Sequence, residues 1–494
     1  MAGGEAPGIK RDGNWNKEPH RTRVVRVDAD VLKLWQQLSG ATTEEVEHAR
    51  LLTPVSTAED AAIRALADFP IRLGEFDPQI TRGFDESGAK KTGLMEYSRS
   101  DPESWNEVVL KGLQIGVANP FLKEPDAGSG DAPITLSKVP GDYVPRTLYR
   151  PVGDNARFER AKDQWIDHVR LASFRADPAE LAAARTAIAE ATDVAVDAVA
   201  DEQIDDFLIA KSRRPFTDFY RLAWRRQIAS DTERSLYAAI LPPGPSHVHL
   251  MHSLVLPSLK TTVLVAGMWS SLPVDYYLRI TGRDDLQVSG ARIMPAGQPN
   301  HPLASSLLLR TLRLNCLTSA YGELWSELFE PSWLTESWAL EWPGLQAIND
   351  VKPDWKVEVG FRTERARRAA LVEIDALVAV WLGIDADTLL TMYRARFPIL
   401  QDFERVMWFD ANERKIAGDR YTYGWSQTKE DWLQFEKHMK DPDNVPTPAG
   451  YTKPFYKAQR EREMRDAHAV FQRRLDEAVA RGEWDPVKQE VPQP

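Results

Sequence analysis

The stretch that most constrains the fold is "RARRAALVEIDALVAVWLGIDADTLLTMYRARF", residues 365–397. Ala370, Ile374, Leu377, Val378 and Trp381 fall on one stripe of an α-helix, because residues three and four apart are neighbours on its surface. Gly383 supplies the stop, and Asp385 caps a second helix that ends before Pro398. Two long helices in succession need a core to lie on. No internal repeat at a fixed period and no long low-complexity tract accompanies them, so the chain reads as globular.

Around this anchor the pattern changes several times. Residues 30–75 read as helices: "DADVLKLWQQL" opens with a capping Asp28, and Ser56 followed by Glu59 reads as a capping box. Residues 76–110 are Gly- and Asp-rich and read as irregular. Residues 109–149 break into short apolar pieces separated by turns, which predicts β structure. Residues 155–212 return to helix, including an Ala-rich run. "FYRLAWRRQIASDTERSLYAAILPPG", Phe219 to Gly244, follows. Its first part is expected to be a helix with Arg221 and Arg225 on one face and Tyr220 and Trp224 on the next. Leu236 to Leu241, stopped by Pro242-Pro243, is expected to be a buried strand. Mixed strand and helix continue to about Leu317. The Trp-rich "GELWSELFEPSWLTESWALEW" is expected to pack one lobe on another, and the last forty residues form a charged helix and a Pro-ended tail.

A length of 494 residues accommodates two to four domains. The single cysteine excludes a disulfide framework and a thiolate zinc cluster within the chain, and fits a reducing compartment. The N-terminal residues lack the apolar segment of a signal peptide, and the apolar run from Val263 to Leu278 is interrupted and too short to span a bilayer. The expectation is a cytoplasmic protein with no membrane partner. A net charge of −11 leaves nucleic acid open, since clustering of basic residues is what matters there. Four clusters stand out: Lys10 to Arg26, Lys211 to Arg234, "FRTERARR" at Phe361 to Arg368, and the segment from Lys453 to Arg474.

Motifs with defined chemistry are absent: no Walker loop, G-x-G-x-x-G, H-E-x-x-H or G-x-S-x-G occurs. His247, His249 and His252 are spaced so that only the first two share a strand face, and they are expected to be structural. Cys316 reads as a core residue. Asp350, Lys352, Asp354 and Lys356 resemble a nuclease set only by coincidence. Asn119-Pro120-Phe121 reads as a turn and lacks the second proline of an adenine clamp.

Several stretches, in order, carry a resemblance: "NWNKEPHRTRVVRVD", "GLQIGVANPFLKEP", "VPGDYVPRTLYRP", "FYRLAWRRQIASDTERSLYAAILPPGPSHVH", "LRITGRDDLQVSGARIMPAGQPNHPLASSLLLRTLRLNCLTSAY", "IDALVAVWLGIDADTLLTMYRARFPIL" and "FERVMWFDANERKI". From about Trp15 to Lys415 the chain resembles the C-terminal half of adenine-N6 DNA methyltransferases of defence systems, the Eco57I-like, BREX and DISARM class. In that family this half contains the target-recognition region. The catalytic half, with its S-adenosylmethionine loop and Asn-Pro-Pro-Tyr motif, has no counterpart in the sequence.

The resemblance implies an α+β, multi-lobed protein. Residues 1–110 would be a helical spacer adjoining a catalytic domain, 111–345 a mixed-β target-recognition region, and 346–494 a helical region with a charged tail. It implies DNA target recognition within a phage restriction-modification system. Double-stranded DNA and a methyltransferase catalytic subunit or domain are the expected partners. The methyl donor S-adenosylmethionine would be bound by that partner, and no residue of this chain is assigned to catalysis, cofactor or metal. The expected DNA contacts are Arg221, Arg225, Arg226, Arg234, Arg279 and Arg283, since arginine binds phosphates and reads guanine. The alternative for these side chains is pairing with Asp231, Glu233, Asp284 and Asp285. Alternative functions are a complete methyltransferase or restriction enzyme, and a scaffold that does not bind DNA.

Overall fold

Arg221–Arg225 sets three apolar residues between two arginines, and it pairs on both edges. In the computed structural model of the chain, residues 8–11, 14–40, 45–126, 128, 130–152, 155–229, 231–418 and 427–486 are described. There the order across the central sheet is Ala238–Leu241, Arg221–Arg225, Met251–Val255, Gln79–Thr81, with every neighbour antiparallel. Side chains alternate across a strand, so Leu222 and Trp224 turn to the main core while Ala223 joins Ala239, Leu241 and Met251 on the other face.

This corrects the helix expected from Phe219. The spacing of four that put Arg221 with Arg225 also puts them on one side of a strand, because four is an even number of residues. What decides between the two is burial on both faces, which a sheet centre provides.

The main core runs from Leu34 to Phe471 and draws on all three segments expected from the sequence, so boundaries at 110 and 345 pass through it. Leu259–Trp269 and Ala304–Asn315 pack together and against the sheet. A Cβ added at Gly267 would stand 2.2 Å from Thr311 Oγ1, so this close helix contact requires glycine. With 48% helix and 14% strand in several small sheets, the fold is α+β.

Glu364–Trp381 forms the expected helix, stopped by Gly383 at φ 69°, and Asp385 caps the next with Oδ1 accepting from Thr388 N at 2.8 Å. Its apolar stripe is buried as expected. Its polar side is buried as well: Arg368, Glu373 and Asp375 all lie inside. Arg460–Ala480 packs along it.

Asp28 caps Ala29–Ser39, accepting from Val31 N at 3.2 Å. The capping box expected at Ser56 does not form. Glu59 instead turns inward and accepts from Arg396 Nε at 2.7 Å and Tyr276 Oη at 2.9 Å. Residues 76–110, expected to be irregular, contain the edge strand Gln79–Thr81, helix Glu86–Lys91 and strand Met95–Ser100.

Residues 155–212 are largely helical, as expected. His168–Ala176, Pro178–Thr192 and Asp201–Ser212 close around a small core of their own, including Leu171, Ile188 and Leu208. Gln164–Ile166 and Arg213–Pro215 pair antiparallel at the base of this unit. Among the described residues no helix is long and apolar enough to cross a membrane, and the apolar 263–278 run is divided between two helices. The expected Pro-ended tail, 487–494, lies outside the described residues.

Candidate anion-binding cleft

The arginines singled out in sequence are mostly structural. Arg221 is 0% exposed. It donates from Nη2 to Pro245 O at 2.6 Å and lies over the Phe216 ring, while burial lowers its pKa to about 9. Arg234 is buried against Asp375 at 2.9 Å. Arg279 donates to Asp275 at 3.2 Å and to the carbonyl of Arg396 at 2.7 Å. Arg225 donates to Ile115 O and stacks 3.9 Å over Tyr237. These four are therefore corrected: each guanidinium already donates to a protein acceptor, though Arg221 Nε and Nη1 and Arg234 Nη1 have none, and Arg221, Arg234 and Arg279 present almost no surface to a duplex. Arg226, paired with Asp285 at 3.4 Å, and Arg283 are half-buried. The expected acidic partners therefore account for one of these pairs, and the others reach Asp275 and Asp375.

The histidines do not converge either. His247 Nε2 and Ser253 Oγ share a hydrogen bond at 2.8 Å, and His252 packs edge-on to Trp224. No group of His, Cys, Asp and Glu able to hold a metal occurs among the described residues. Burial pushes the Cys316 thiol well up, consistent with a core position. Asn119 makes the expected turn, with Oδ1 accepting from Phe121 N at 2.9 Å.

A different place collects charge. A cleft of about 660 Å³ opens between the start of the Glu364–Trp381 helix, residues 134–138, and the Met407–Phe409 and Lys415–Ala417 strands. Its lining carries seven cationic side chains, Lys138, Arg362, Arg367, Arg368, Arg414, Lys415 and Arg460. Against them stand four acids, Glu233, Glu364, Glu404 and Glu413.

The cations divide into two kinds. Arg368 and Arg460 are neutralised. Arg368 grips Glu404 at 2.6 Å and Glu463 at 2.6 Å, and Arg460 reaches Asp375 at 2.5 Å and Glu404 at 3.1 Å. Burial would raise the Glu404 pKa, but the two guanidinium groups outweigh it and hold the carboxyl down at about 2.

Among the described residues no carboxylate pairs directly with Arg362 or Arg367, although the Glu358 charge acts on Arg362. Arg367 donates to the carbonyls of Leu314, Phe361 and Ala118 at 2.8–2.9 Å. Those bonds leave its Nε and one Nη2 hydrogen without a protein acceptor. Burial alone lowers its pKa to about 9. It is deeply enclosed yet keeps part of its surface on the cleft. Arg362 donates to the carbonyls of Val357, Leu136, Val139 and Leu317, and burial lowers its pKa too. Carbonyls satisfy hydrogen bonds but leave the positive charge uncancelled. Lys138 is exposed at the cleft without an ion-pair partner.

Among these charges the lining also includes apolar side chains, of which Ile134 and Leu371 are partly exposed and Leu136, Leu400, Met407 and Phe409 are buried. The cleft thus offers positive charge beside apolar surface, the pairing a small anionic ligand with a nonpolar part requires.

Sequence reasoning named the "FRTERARR" cluster but did not place it at a site. The missed signal was convergence: residues from "GLQIGVANPFLKEP", "FYRLAWRRQIASDTER" and "FERVMWFDANERKI" meet in the lining as Asn119, Glu233 and Glu404 through Lys415. No family model matches the sequence, and no curated protein matches it.

Proposed function

We propose that the chain is a DNA-recognition component, the target-recognition part of an adenine-N6 DNA methyltransferase acting in phage restriction-modification. The observation that carries this reading is the convergence of separately resembling stretches on one cleft whose cations outnumber its acids. A duplex reader draws much of its affinity from phosphates, and Lys138 and Lys415 at the cleft offer cations to them. The expected contacts therefore move from the strand arginines to this cleft.

In this reading S-adenosylmethionine and the methyl-transfer chemistry belong to a catalytic partner, and this chain supplies register on the duplex. The working compartment is the cytoplasm. The experiment that tests it is salt-dependent binding of duplex DNA by the intact chain, compared with a variant neutralised at Lys138 and Lys415.

A further inference from the structure

We infer that the cleft is a subsite for a single nucleotide unit, its phosphate on Arg362 and Arg367 and its planar base against the apolar lining that includes Ile134 and Leu371. The inference deepens the DNA-recognition reading of the same cleft by naming what enters it.

Three observations carry it. The volume of about 660 Å³ lies within the range of small-molecule sites, roughly 300–1,000 Å³. It is too small for a double helix. A duplex can therefore line the mouth but not fill the interior.

The second observation is the uncancelled charge. Taking a guanidinium out of water is costly unless an anion accompanies it. Arg368 and Arg460, a few residues or one helix away, have Glu404, Glu463 and Asp375. Arg367 donates only to main-chain carbonyls among the described residues, and Arg362 to carbonyls with Glu358 as the nearby opposing charge, so an anion entering the cleft meets positive charge there. Guanidinium groups with free N–H directions suit phosphate oxygens, which accept from several donors at once.

The third is the apolar part of the lining. Ile134 and Leu371, both partly exposed, give an inorganic anion nothing to bind. A base offers a flat, largely apolar face to such surface. The side-chain nitrogen of Asn119 has no hydrogen-bond acceptor among the described residues and is a donor for a base edge or sugar hydroxyl. Positive charge beside apolar surface in a space of this size is the chemistry of a nucleotide.

That unit has two sources: a free mononucleotide, or a nucleotide turned out of bound DNA. Calorimetric titration of the intact chain with the four 5′-deoxynucleoside monophosphates and with inorganic phosphate tests the first. Fluorescence of duplex DNA carrying 2-aminopurine, which brightens when unstacked, tests the second. The expected result is a response in at least one arm, with any monophosphate binding at least tenfold tighter than inorganic phosphate. Arg367→Gln and, separately, Lys138→Glu should weaken that response at least fivefold. Lys138 is exposed, so the second variant keeps the test valid if the first unfolds.

A response only from monophosphates assigns the site to free nucleotides, and one only from 2-aminopurine assigns it to DNA. Silence in both arms, or responses unchanged in both variants, overturns the inference. Duplex binding by the wild-type chain with silence in both arms would leave DNA recognition standing and remove the subsite alone. Monophosphate binding without duplex binding would do the reverse.

Discussion

Arg234 donates from Nη2 to both carboxylate oxygens of Asp375, at 2.9 and 3.2 Å, across 141 residues of chain. Asp375 also receives Arg460 Nη1 at 2.5 Å and Leu272 N at 2.6 Å. A residue that looked like a phosphate contact is one member of a buried alternation, Arg234–Asp375–Arg460–Glu404–Arg368–Glu463. Arg234→Ala should destabilise the fold by about 3–5 kcal/mol, because removing one partner leaves buried charge uncompensated. Urea denaturation reads this as a lower midpoint. Duplex affinity of the folded fraction should not change.

Trp224 and Arg226 should behave oppositely, although they are two residues apart. Trp224 is 0% exposed and donates from Nε1 to Leu286 O at 3.0 Å. Trp224→Ala should cost about 3–5 kcal/mol. Arg226 pairs with Asp285 at 3.4 Å near the surface, and Arg226→Ala should cost about 0–1 kcal/mol. Equal losses in thermal denaturation would contradict the placement of Trp224 in the core and of Arg226, just past the end of the strand, at its rim.

Acid should destabilise the fold through its buried histidines. Burial lowers the His301 pKa to about 3, with its ring stacked 3.8 Å from that of Trp381. In the unfolded chain a histidine takes up its proton near about 6.5. Between these values the unfolded state binds the proton and the folded state does not, so stability falls as pH drops from about 6.5 toward 3. His252, at about 4 through burial and the nearby Arg82 charge, acts in the same direction. Urea midpoints at pH 7 and pH 5 should differ, and the difference should shrink in His301→Gln. A midpoint that rises on acidification would contradict this.

The isolated chain should transfer no methyl group. Asn119-Pro120-Phe121 closes a turn in which the asparagine oxygen is already taken by Phe121 N. The sequence also lacks a glycine-rich donor loop. Incubation with labelled S-adenosylmethionine and mixed-sequence duplex should leave the DNA at background. Stoichiometric adenine labelling would assign the chain a catalytic site of its own.

Local signals read well from sequence, and long-range ones did not. Asp28, Gly383 and Asp385 act where the sequence placed them, because a cap is decided within a few residues. Phe219 onward was misread because helix and strand both put residues four apart on one side. Gln79–Thr81 was missed because a three-residue strand has little pattern, and its partner Ser253–Val255 is far along the chain. Buried arginines were the largest gap. Arg310 meets Glu373 across 63 residues and Arg396 meets Glu59 across 337, and nothing local distinguishes these from solvated charges. The same limit hid the cleft. "FRTERARR" was visible as a basic cluster, yet only folding shows that Arg368 finds carboxylates while Arg362 and Arg367 do not.

The most direct measurement of the central claim is fluorescence anisotropy of labelled duplex DNA with the intact chain over a salt series. The logarithm of the affinity should fall linearly with the logarithm of salt concentration. Lys138→Ala and Lys415→Ala combined should flatten that slope by up to about 0.9 for each phosphate contact removed. The combination Arg221→Ala with Arg225→Ala should leave the slope of the folded protein unchanged. No salt-sensitive binding by the wild-type chain, or a slope that follows the strand arginines instead of the cleft, would contradict it.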